Sequence, residues 1–178
     1  RGPLPILPAE PPRSLTDWLF LLYLAGALGL ALWYLGCALR LSLRVSRGVP
    51  VEGPRRAAID AVAQRYQLPR PRRVVECRWE RSPFLTGFFA PALVLPMGWE
   101  PDEAVILHKL LHLKHRDLWA GWLTAALRCL HWCDPLLWLA FDKADNDREA
   151  LCDQRVLERL EGEDRRDYGR VLLSMADD

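Results

Sequence analysis

Residues 17–40 read DWLFLLYLAGALGLALWYLGCALR, and the 22 residues from Trp18 to Leu39 carry no charge. At about 1.5 Å rise per residue a helix of that length spans roughly 33 Å, enough to cross a bilayer core. Trp18 and Tyr23 sit toward one end and Trp33 and Tyr34 toward the other, as aromatic belts do. Ser14 or Thr16 is placed to cap the start, and Gly26, Gly29 and Gly36 offer close-packing faces. The segment is therefore expected to be a transmembrane helix over 18–39, preceded by a Pro-rich extracytoplasmic loop over 1–17 that is not a signal peptide.

The flanks orient that helix. Arg40, Arg44, Arg47, Arg55 and Arg56 follow it, whereas only Arg1 and Arg13 precede it, so the positive-inside rule puts residues 40–178 in the cytoplasm. The chain has 178 residues, 51% hydrophobic, with a formal net charge of +1. That near-cancellation hides a basic block over 40–81, with 11 basic and 4 acidic residues, and an acidic tail over 142–178, with 7 basic and 12 acidic. A basic block directly after an apolar run suits a membrane lipid surface, and the near-neutral total argues against direct nucleic-acid binding. The five cysteines (Cys37, Cys77, Cys129, Cys133, Cys152) form no disulfide framework or CxxC pair and read as reduced thiols, small and buried. The chain opens without Met and closes without a terminating element, so a longer parent is expected.

Beyond a breaker cluster at Gly48–Pro54, residues 55–67 have helical apolar spacing, stopped by Leu68-Pro-Arg-Pro. Strands are expected over about 73–79 and 92–95, separated by a Thr86-Gly87 turn. Pro83, Pro91 and Pro96 suit edge strands, so a small antiparallel sheet is expected, with an edge able to hold an extended peptide. The fold class read from this pattern is α+β, mostly α.

Glu100–Arg116 reads EPDEAVILHKLLHLKHR, a helix with Pro101 at its first position. His108 and His112 lie at i and i+4, the spacing two imidazoles need to bind one tetrahedral zinc. Alone, that spacing is also common among surface and core histidines. A helix over 142–160 carries Glu149 and Asp153 on one face; Glu149 can complete a His2Glu site and Asp153 can hydrogen-bond the outer nitrogen of a ligand histidine. Leu118–Phe141 is Trp-rich but broken by Arg128, His131, Asp134 and Pro135. It is expected to form two shorter helices joined near Cys133-Asp134, interfacial or buried. His131 reads as a core or interface residue and His115 as a surface one.

Together these motifs resemble the β-lactam-sensor and methicillin-resistance antirepressor metallopeptidases. The likeness is carried by His108-Lys-Leu-Leu-His112, His115-Arg-Asp-Leu, Leu130-His-Trp-Cys-Asp-Pro-Leu-Leu-Trp138 and Asp147-Arg-Glu-Ala-Leu-Cys-Asp153. Ser82-Pro-Phe, Thr86-Gly87 and Leu93-Val-Leu-Pro96 extend it upstream, so that it covers roughly Leu15 to Leu173. The resemblance implies a multi-pass cell-membrane protein with a cytoplasmic gluzincin-type domain, zinc held by His108, His112 and Glu149, and a cytoplasmic protein substrate such as a transcriptional repressor. Thr86 and Gly87 become candidate substrate-binding residues, and a homodimer is a possible assembly.

Two positions depart from the family's pattern. The family motif is HExxH, whose Glu is the general base that takes a proton from the attacking water; here that position is Lys109. A lysine with a reference pKa near 10.4 is protonated at neutral pH and accepts no proton. Hydrolysis is accordingly expected to be strongly impaired, leaving a pseudo-peptidase regulator or interaction domain as the alternative function. The second departure is Asp134, where the family has Asn before Pro-Leu.

Overall fold

The computed structural model describes residues 14–176. The first 13 residues, most of the expected extracytoplasmic loop, lie outside the described part. A long helix α1 (Leu15–Ser46) starts at Ser14, whose hydroxyl accepts from the Asp17 amide at 3.2 Å while the Asp17 carboxylate accepts from the Ser14 amide at 2.8 Å. This reciprocal pair satisfies two amides that the first turn leaves without helical partners. Among the described residues α1 is the one helix long and apolar enough to cross a membrane. Its 32 residues run about 48 Å, well past a bilayer core. The last turns end on buried Val45, which packs with Val75, Cys77 and Val94 of the sheet. Helix and globular part are thus joined by direct packing rather than by a flexible linker.

The remaining elements are β1 (Val49–Pro50), α2 (Pro54–Arg65), β2 (Arg73–Cys77), β3 (Phe84–Thr86), β4 (Ala92–Pro96), α3 (Glu103–His115), α4 (Asp117–Leu130), α5 (Pro135–Arg159) and α6 (Gly162–Ala176). The fold class is α+β and mostly helical, as its pattern indicates. The sheet differs from the antiparallel expectation in being mixed, in the order β1-β2-β4-β3. Its two longest strands, β2 and β4, pair in parallel from Arg73↔Ala92 to Cys77↔Pro96, and β1 and β3 flank them antiparallel. The short β3 lies at the edge and takes the place beside β4 that a simple hairpin partner would fill. Pro91 and Pro96 therefore bracket a central strand, not an edge one. β4 is buried along its whole length and needs only its interior amides for the ladder.

The main core joins α2, β2, β4, α3 and α5 through Ile59, Leu93, Leu95, Ile106, Leu107, Leu110, Leu111, Val156 and Leu160. Each fully buried side chain of this size contributes roughly 1.5–3 kcal/mol. The two helices expected around Cys133-Asp134 are α4 and α5, but α5 continues without a break through 142–160, so one helix carries both Trp138 and Glu149. Asp134 caps it, with Oδ1 accepting from the Leu136 and Leu137 amides at 3.0 and 3.3 Å. The carboxylate at that departure from the family pattern thereby has a definite role. α4 packs along α1: Trp132 Nε1 donates to the Tyr23 carbonyl at 3.1 Å, and the Tyr23 hydroxyl donates to the Leu130 carbonyl. Of the three glycines, Gly26 makes the close approach, since a Cβ there would lie 2.4 Å from Trp132 Cε2, whereas Gly29 and Gly36 have nothing within 4 Å.

Candidate metal centre

Helix α3 is built to hold its histidines still. The helix starts at Glu103 rather than at Pro101, and Asp102 is its cap, with Oδ1 accepting from the Val105 amide at 3.0 Å. Glu103 occupies the positive first turn, and Lys114 and His115 the negative last turn. Ile106, Leu107, Leu110 and Leu111 are buried in the core and fix the helix's rotation. That rotation turns His108 and His112 toward α5, with His108 only 6% exposed.

Three of the expected site residues converge. The Nε2 atoms of His108 and His112 are 2.8 Å apart. The Glu149 carboxylate reaches both, Oε1 at 3.0 Å from His108 Nε2 and Oε2 at 3.2 Å from His112 Nε2. Asp153 Oδ1 lies 3.0 Å from the outer nitrogen, Nδ1, of His108. Tyr168 of α6 completes that contact by donating its hydroxyl to Asp153 Oδ1 at 2.6 Å and lying 3.0 Å from His108 Nδ1. Asp117 Oδ2 faces His112 Nδ1 at 2.6 Å.

These partners define the chemistry at the centre. The Asp153 and Asp117 carboxylates only accept, so they favour the tautomer with the proton on each Nδ1, which leaves both Nε2 atoms facing one another and the Glu149 carboxylate with bare lone pairs. Three acceptors meeting at one point require a cation between them, and two imidazoles with one carboxylate form the donor set of a His2Glu zinc site. The residues present therefore fit a divalent metal. Without one, protons take its place. Burial disfavours charge on His108, but its contacts with Cys152 and Glu149 outweigh that and lift it to about 9. The same balance, with Asp117 added, lifts His112 to about 10. Hydrogen bonds from the two rings hold Glu149 far below the usual carboxylate range. For Cys152 burial favours the thiol, yet the imidazoles prevail and lower its pKa.

Sequence spacing does not mark Asp117 or Tyr168 as partners of the histidines. Asp117 is five residues beyond His112, off the helical face, and comes back only because Arg116 adopts a left-handed conformation (φ 58°) that ends α3 and begins α4 at once. A carboxylate opening the next helix was the available signal. Tyr168 comes from a separate helix, and nothing in its local pattern marks it.

Lys109 is half-buried and lines a cavity of about 500 Å3 together with His112, Asp117, Tyr34, Leu41 and Trp122. Thr86 and Gly87 do not border this cavity. They line a neighbouring one of about 720 Å3 beside α1, which shares Leu85, Leu118 and Trp122 with it. Thr86 ends the edge strand, and Gly87 has φ +100°, where a Cβ would meet the Ala90 carbonyl oxygen at 2.6 Å. His115 is exposed, and His131 is exposed in the α4–α5 turn rather than buried in the core.

The family model described as BlaR1 peptidase M56 matches residues 7–177. The chain belongs to this family. Among curated relatives, regulatory protein BlaR1 of Bacillus licheniformis is 32% identical over 98 residues, which is 52% of this chain and 16% of that protein. The methicillin resistance mecR1 proteins of Staphylococcus aureus and Staphylococcus epidermidis are likewise 32% identical over 98 residues, 52% of this chain and 17% of theirs. These matches thus take in about a sixth of each relative's length. M56 is a metallopeptidase family, and with α1 the chain is a membrane-associated member of it.

Proposed function

We propose that this chain is a membrane-anchored M56 protein that keeps the family's zinc site but has little or no peptidase activity. Its role on this reading is regulatory, through binding rather than cleavage. The observation that carries it is the convergence of His108, His112 and Glu149, with Lys109 in the position of the general base. His108, His112 and Glu149 would hold the zinc, which in such a site polarises a carbonyl and acidifies water. Asp117 orients His112, and Asp153 with Tyr168 orients His108, each keeping the outer nitrogen protonated and the inner lone pair free. Lys109 brings an ammonium to the cavity wall, where it can pair with an anionic group but takes no proton from water. A missing general base costs roughly 10²–10⁴-fold in rate.

The basic flank after α1 supports a cytoplasmic position for the metal domain. The relatives' names, a regulatory protein and methicillin resistance proteins, support a part in antibiotic-resistance signalling. A protein partner such as a transcriptional repressor, contact with membrane lipid through the basic block, a multi-pass parent and a homodimer belong to the same proposal. Thr86 and Gly87, at the end of the edge strand, are its candidate partner-binding residues.

The test is to purify the chain in detergent, quantify bound zinc, and assay peptide cleavage beside Lys109→Glu. Bound zinc in both with cleavage only in the Glu variant supports the proposal. Equal cleavage in both refutes the argument about the base, and absence of zinc from both refutes the metal site.

A further inference from the structure

Where α1 leaves the apolar run it meets the sheet across a cavity of about 520 Å3, outside the metal centre. Arg44 and Arg47 line it from the last turns of α1, and Arg78 and Trp79 from the segment after β2. The Arg44 guanidinium carbon stands 5.9 Å from the centroid of the Trp79 ring. Gly48 lines the same cavity, and a Cβ there would lie 3.0 Å from Cys77 Sγ and 3.1 Å from the Glu76 carbonyl oxygen. The missing side chain is what lets the end of α1 close on β2.

All three arginines are exposed, and among the described residues none has an acidic partner at ion-pair distance. The carboxylate on the cavity wall, Glu76, is engaged by Arg55. Trp79, Met97 and Val49, also on the wall, are 42%, 47% and 55% exposed. Unpaired cations beside exposed apolar side chains suit an amphiphile with an anionic head. A nucleic acid or a free phosphate gains nothing from the apolar rim. The level in the membrane fits too. Arg44 and Arg47 stand roughly 8–12 Å beyond Leu39 along the helix. The polar layer on each side of a bilayer core is about 5–8 Å thick. An arginine side chain reaching back toward the core brings its guanidinium to the lipid phosphates.

We propose that Arg44, Arg47, Arg78 and Trp79 form a binding site for the phosphate headgroup of one anionic phospholipid of the cytoplasmic leaflet. This deepens the lipid contact proposed above and rests on α1 crossing the bilayer with its basic flank on the cytoplasmic side. Planar guanidinium groups from two elements take the phosphate oxygens as bidentate donors. Trp79 and Met97 lie against the glycerol and the first acyl carbons. Two of the arginines belong to α1, and Arg78 and Trp79 follow a strand of the sheet. The bound lipid therefore ties helix to sheet and fixes how the metal domain sits on the membrane.

The probe is phosphatidylglycerol, with phosphatidylcholine as the neutral reference, added to the purified, delipidated full chain in detergent. Native mass spectrometry counts the lipid retained, and circular dichroism confirms folding. Wild type is expected to retain one phosphatidylglycerol at concentrations where it retains no phosphatidylcholine. Arg44→Gln, Arg47→Gln and Arg78→Gln should each weaken retention roughly fivefold. Arg70→Gln with Arg72→Gln, which removes charge from the same basic block away from the cavity, should leave it unchanged. Equal loss in that double variant and in the cavity variants overturns the site and leaves a diffuse lipid contact standing. Displacement of the lipid by an equal concentration of glycerol phosphate, the headgroup without acyl chains, overturns the assignment to a lipid. No preference for phosphatidylglycerol in wild type overturns the site and the lipid contact together.

Discussion

Replacing Asp117 with alanine removes the 2.6 Å hydrogen bond to the outer nitrogen of His112, made between side chains only 14% and 18% exposed. Without it the ring can rotate or take the other tautomer, and its basicity falls. Loss of such a partner typically weakens metal binding about 10–100-fold, or about 1.4–2.7 kcal/mol. That agrees with the roughly 1.5–3 kcal/mol of a hydrogen bond to a charged group. Asp153→Ala is the internal comparison. His108 Nδ1 has two partners, Asp153 and the Tyr168 hydroxyl, each at 3.0 Å, so one remains after the substitution. Asp153→Ala is therefore expected to cost less than Asp117→Ala, and Asp153→Ala with Tyr168→Phe to cost as much. The assay is zinc competition against a chromogenic chelator at fixed pH, with circular dichroism to confirm folding. Unchanged affinity in Asp117→Ala, or a larger loss in Asp153→Ala, would refute the reasoning about which contact holds which ring.

Three further outcomes follow from the same geometry. In the metal-free chain His108 and His112 have folded-state pKa values raised from 6.5 to about 9 and 10. Their stabilisation is thus complete below pH 6.5 and lost as pH rises through 9–10. The melting temperature of chelator-treated protein should fall between pH 7 and 10, and saturating zinc should remove that fall by displacing the protons; a flat metal-free profile would contradict the pairing. Gly26→Leu should destabilise the α1–α4 contact by about 1–3 kcal/mol through its clash with Trp132, with Gly29→Leu near neutral, as read by thermal melting in detergent. Leu110→Ala, at a fully buried position behind the histidines, should lower stability by about 2–5 kcal/mol and loosen zinc binding with it, measured by melting and chelator competition.

What the chain's order of residues determined by itself is whatever depends on near neighbours. An uncharged run of 22 residues is an apolar helix wherever it is placed, and its Ser14–Asp17 pair marks its start. The i, i+4 spacing of His108 and His112, and the i, i+4 spacing of Glu149 and Asp153, put each pair on one helical face before any packing is known. Lys109 declares its charge in the same way. Tertiary structure decided everything that joins distant segments. The parallel β2–β4 pairing came from strand order, which alternation in sequence leaves open because a parallel and an antiparallel pair use the same residue pattern. Asp117 reached His112 because of one left-handed residue at Arg116, and Tyr168 reached His108 across 60 residues. The nearness of Cys152 to both imidazoles was likewise set by the packing of α5 against α3. A side chain's type and its helical phase are local properties. Which groups share a cation depends on how two helices meet, and that is settled by the buried apolar faces that lock them together.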